Sequence, residues 1–62
     1  MRRNTFTKML VGRSRNELPP CLYIKGEKDG TEIYGSEDWD CREYLLRFNS
    51  NDVVIDAEMR EI

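Results

Sequence analysis

SEDWDCREYLLRF, residues 36–48, reads as the one helix of this chain. Ser36 supplies a side-chain oxygen that can accept a free N–H of the first turn. Glu37, Asp38 and Asp40 follow it, where the positive end of a helix dipole favours acids. Cys41, Tyr44, Leu45 and Phe48 recur at i, i+3, i+4 and i+7, a single apolar stripe. Asn49-Ser50-Asn51-Asp52 stops the segment and makes a turn.

Upstream of it lies a hairpin signal. Asp29-Gly30 separates two β-prone runs, Cys21 to Gly26 and Thr31 to Tyr34. Both central positions of a type I′ turn need positive φ, which Asp-Gly tolerates. That turn pairs Lys28 with Thr31, Gly26 with Ile33, Lys25 with Tyr34 and Ile24 with Gly35. It also sets Glu27 opposite Glu32, a like-charge cost. Leu22, Ile24 and Ile33 then share one face, and Cys21, Tyr23, Lys25 and Tyr34 the other.

Downstream, Val53, Ile55, Ala57 and Met59 alternate with Val54, Asp56, Glu58 and Arg60, the period of a half-buried strand. Near the start, Thr5 to Val11 is β-prone and reads as a further strand. Gly12 to Asn16 is a polar loop, and Pro19-Pro20 holds the chain extended. The expected fold is α+β, with elements in the order β-β-β-α-β and one amphipathic helix on one face of a small antiparallel sheet. Leu22, Ile24, Ile33, Ile55 and Met59 would meet Tyr44, Leu45 and Phe48 in its core.

Sixty-two residues make a single domain whose own core is marginal. Its charge is divided: residues 1–16 carry five basic groups and no acid, and residues 17–62 carry five basic groups and twelve acids. The chain is thus a basic N-terminal segment of +5 joined to an acidic body of −7. No apolar run has the length of a signal-peptide core or a membrane span, so a cytoplasmic protein without membrane contact is expected. Cys21 and Cys41 fall on opposite sides of the expected sheet, which places them too far apart to bridge.

No histidine is present, nor any Cys-x-x-Cys, phosphate-binding Gly-rich loop or nucleophile elbow. A one-layer sheet also offers little concavity. Catalysis, a metal, a cofactor and a small-molecule substrate are therefore not expected. The expected business of the chain is binding. A helix covers only one sheet face, leaving Tyr23, Lys25, Tyr34 and Val54 on the other, with Trp39 at its edge, as an anchor surface for a larger protein or a second copy. The alternative is a nucleic-acid-binding regulator in which Arg2, Arg3, Lys8, Arg13 and Arg15 contact phosphates. A third arrangement sets the basic segment beside the acidic last strand, with Lys8 against Asp56 or Glu58.

In size, charge and lack of catalytic groups the chain is similar to the small accessory proteins that bacteriophages and mobile elements use to inhibit or redirect host enzymes. The likeness is one of class and carries no motif. It implies a host or viral protein as partner.

Overall fold

The computed structural model describes residues 3–62, with the side chains of residues 3, 4, 39 and 40 outside that description. A short helix α1 (Arg3–Leu10) and a 3-10 turn (Arg15–Glu17) precede four strands. These are β1 (Leu22–Lys28), β2 (Thr31–Ser36), β3 (Trp39–Phe48) and β4 (Val54–Glu61). They form one antiparallel sheet in the order β1-β2-β3-β4, each beside its neighbour in sequence. The α+β class with a small antiparallel sheet holds. Two elements exchange character: residues 39–48 are a strand, and the helix lies at residues 3–10. Among the described residues no helix is long and apolar enough to cross a membrane.

Why 39–48 is extended follows from what flanks it. β3 pairs on one side with β2 (Tyr34 opposite Tyr44, Glu32 opposite Leu46) and on the other with β4 (Tyr44 opposite Met59, Leu46 opposite Ala57). Two ladders and a buried aromatic pair outweigh a helical stripe whose local preference is worth only tenths of a kcal/mol per residue, roughly. In the strand, Tyr44, Leu46 and Phe48 face the core, whereas Leu45 points to the opposite face. Leu46, absent from the helical stripe, is fully buried.

Helix α1 uses Phe6, Thr7 and Leu10 on its inner side. The Phe6 ring meets Tyr44 at 5.2 Å between centroids, tilted by 58°. Gly12, at φ +95°, ends the helix in a backbone conformation that side chains other than glycine's resist. Residues 12–14 then run along the first residues of β4: the Gly12 N–H donates to the Val54 carbonyl (2.9 Å) and the Val54 N–H to the Arg13 carbonyl (2.8 Å). The segment covers one face of the sheet. Beneath it lies a core of Leu10, Tyr34, Tyr44, Leu46 and Val54, flanked by Leu18, Leu22, Phe48, Ala57 and Met59.

The hairpin turn is the one expected, with Asp29 at φ 54° and Gly30 at φ 82°. Lys28 opposite Thr31, Glu27 opposite Glu32 and Gly26 opposite Ile33 also hold. Lys25 then bulges out, so Ile24 pairs with Tyr34 and Tyr23 with Gly35. A slip of one residue moves a side chain to the other face. Tyr34 therefore joins Leu22 on the covered side, and Ile33 joins Tyr23 on the uncovered one. A second irregularity, at Ile55 on β4, turns Val54 inward and leaves Ile55 exposed. The expected core thus loses Ile24, Ile33, Ile55 and Leu45. Cys41, expected on an inward stripe, is exposed, and both thiols are free.

Candidate functional site

Two arrangements of side chains stand out, one on each side of the sheet. On the covered side Arg15 acts as a clip. Its Nη1 lies 2.6 Å from Glu32 Oε1 and its Nη2 lies 3.3 Å from Asp52 Oδ1. Its guanidinium carbon sits 4.1 Å above the centre of the Phe48 ring. The Tyr34 hydroxyl donates to the same Glu32 oxygen at 2.7 Å. The like-charge cost of Glu27 opposite Glu32 is thereby offset, because Glu32 turns to the covered face and finds a cation and a hydroxyl there.

The Arg15 guanidinium, followed by the Tyr34 hydroxyl, holds the Glu32 carboxyl below the usual carboxylate range. Burial, reinforced by the bond to Glu32, pushes the Tyr34 hydroxyl up to about 12. A carboxyl depressed in the folded state adds stability that is complete above its ordinary value and lost as pH falls through the folded one. The melting midpoint should therefore decline as pH drops below the ordinary carboxylate range. Arg15→Ala should flatten that acid limb, as calorimetry across pH would read.

The uncovered side is organised around an absence. Gly35 on β2 has no side chain, and Tyr23 and Lys25 lie across the gap: a Cβ at Gly35 would sit 2.8 Å from the Tyr23 ring tip and 2.9 Å from Lys25 Cδ. The Lys25 stem crosses the gap to place Nζ 2.7 Å from Glu43 Oε2, and Arg60 holds the other Glu43 oxygen. Lys25 first, then Arg60, keeps the Glu43 carboxyl below its usual range. Next to this charged row Ile33 and Leu45 are only half-buried. Two shallow depressions of about 250 and 210 Å³ adjoin there and share Thr31 and Leu45 in their walls. The result is an aromatic ring lying over a glycine, an apolar centre and a rim of both charge signs.

The expected binding residues divide accordingly. Tyr23, 46% exposed, and Lys25 stand on the uncovered face as expected. Tyr34, at 7% exposure, and Val54, at 1%, are core residues of the covered face and leave the candidate surface. The bulges at Lys25 and Ile55 are the physical reason. Trp39 begins β3, and its side chain lies outside the described residues. Ile33, Leu45 and Arg60 are additions that the sequence reading lacked. Gly26 inside a β-run was the signal for the bulge that brings Ile33 there.

For the phosphate-contacting alternative, Arg2 lies outside the described residues, and Arg3 begins α1 with its side chain undescribed. Lys8 is exposed on the helix. Arg13 Nε donates to the Met9 carbonyl at 3.1 Å. Arg15 is engaged by two carboxylates and a ring. A concavity of about 410 Å³ between Ser14, Arg15, Asn16, Asn51 and Asp52 borders that same engaged guanidinium. Nor does Lys8 meet the last strand side by side: residues 12–14 take that edge, and Arg15 makes the pairing to Asp52.

No protein-family model, curated protein or solved structure matches this chain.

Proposed function

We propose that this chain is a non-enzymatic binding protein that modulates a larger protein through the uncovered sheet face. The observation that carries the reading is Tyr23 held across Gly35. An aromatic side chain with its position set in advance loses little freedom on docking, which is what makes such residues interface anchors. Ile33 and Leu45 give that anchor an apolar neighbourhood. The Lys25–Glu43–Arg60 row supplies a rim of mixed sign, suited to a partner surface that is itself mixed in charge. An inhibitor or modulator of a host or viral enzyme fits this description.

The test is capture of a partner from the native host, repeated with variants. Tyr23→Ala should weaken capture by about thirtyfold, the effect of losing a central tyrosine anchor. Gly35→Ala should do nearly the same by lifting the ring off the strand. Its fold should persist, since the obstructing atoms are the movable ends of side chains. Lys8→Ala, on the helix, should change nothing. Capture that survives Tyr23→Ala removes the sheet face from consideration. Salt-sensitive binding to generic duplex that is lost on Lys8→Ala and Arg13→Ala replaces this reading with the nucleic-acid one.

A further inference from the structure

We infer that the open half of β4 pairs with the same strand of a second copy, in one defined register. The Ile62 N–H donates to the Cys41 carbonyl at 2.8 Å, and Arg42 stands opposite Glu61. Hydrogen-bonded and non-hydrogen-bonded pairs alternate along an antiparallel ladder. Asp56, Glu58 and Arg60 therefore bond to β3, while the N–H and C=O groups of Ala57, Met59 and Glu61 point to the open edge. Val54 shows what such outward groups do: its own are already taken by Gly12 and Arg13. Past the irregularity at Ile55, the described residues show no backbone hydrogen bond from outside the sheet to Ala57, Met59 or Glu61.

The other edge of the sheet is defended. β1 carries a bulge at Lys25, a glycine at 26 and a second lysine at 28, the features that deter strand addition. On β4, residues 56–61 form a regular run with no lysine, proline or bulge.

Charge selects the partner and the register. Antiparallel pairing of β4 with its own copy about a two-fold axis allows only a few centres. Centring on Ala57 sets Asp56 against Glu58 twice, and centring on Glu58 sets that residue against itself. Arg60 and Glu61 as centres likewise oppose their own copies. Centring on Met59 sets Glu58 against Arg60 of the other copy twice, Met59 against Met59, and Ala57 against Glu61, with no like-charge pair. Cross-strand pairs of opposite charge favour a register and like charges reject it. A two-fold arrangement also closes on itself, where β1-to-β4 pairing would run on as a filament. The product is a continuous eight-stranded sheet whose uncovered faces lie side by side.

Sedimentation equilibrium over a wide protein concentration range at low salt tests this, with circular dichroism as the check on fold. The wild type should pass from monomer to dimer. Ala57→Pro removes an outward N–H, leaves the bonds to β3, and should yield a monomer. Glu58→Arg sets like charges across the axis twice and should weaken association by about tenfold or more. A wild type that is monomeric throughout, or a dimer that withstands either substitution in a folded protein, overturns the inference. Neither variant touches Tyr23, so partner capture through the sheet face is read independently.

Discussion

Leu46→Ala should cost about 3 kcal/mol of folding stability, the usual loss when a fully buried leucine is truncated and its cavity only partly collapses. Leu46 has no exposed surface and sits between Glu32 of β2 and Ala57 of β4, in the core beneath α1. A 62-residue domain holds about 3–9 kcal/mol in total. The variant should therefore unfold at a much lower urea concentration, with an unchanged slope of stability against denaturant. Leu45→Ala, next to it, should cost about 1 kcal/mol, because Leu45 is half-buried on the other face. The contrast is diagnostic: a helix over residues 36–48 would bury Leu45 and expose Leu46, reversing the order. Equal losses, or the reverse order, would refute the strand.

Arg15→Ala should be the most damaging substitution outside the core, at about 2 kcal/mol. The ion pairs themselves are worth little where Arg15 is two-fifths exposed. Most of the loss comes from Glu32, whose side chain keeps only 17% of its surface and would retain the Tyr34 hydroxyl alone as partner. The contact over Phe48 contributes about 0.5–1 kcal/mol of the total. In a domain of this size the melting midpoint should fall by roughly 10 °C. Arg15→Lys should recover little, since an ammonium cannot span two carboxylates and lie flat on a ring. Pairing Arg15→Ala with Glu32→Gln should cost less than the sum of the two. Strict additivity would mean that the side chains do not act together.

What could be read from the chain depended on how far apart the deciding contacts lie. The Asp29-Gly30 turn is a local device, and its type and the first three pairs beyond it were legible from two residues. The last strand was legible from alternation, apart from its phase: the run Val53-Val54-Ile55 is apolar on both sides and does not say where the irregularity falls. Residues 39–48 satisfy a helical stripe and a strand alternation at once, through Tyr44 and Phe48 in both. The choice is made by β2 and β4, on either side of it in the sheet. Residues 5–11 misled in the opposite sense, because the β-branched Thr5, Thr7 and Val11 obscured the Phe6 and Leu10 spacing and the Gly12 stop. Of the candidate surface, Tyr23 and Lys25 were legible and Ile33 was not. A single bulged residue exchanged Ile33 for Tyr34.

The contact between Arg15 and Asp52 joins residues 37 apart, and residues 12–13 bond to Val54, whereas every strand pairs with the next one in sequence. During synthesis the leading segment thus leaves the ribosome long before the turn that will hold it. The three successive hairpins can zip locally as they emerge, but their apolar side stays bare until residues 52–54 arrive and the leading segment folds back. For that interval the nascent sheet is most in need of a chaperone.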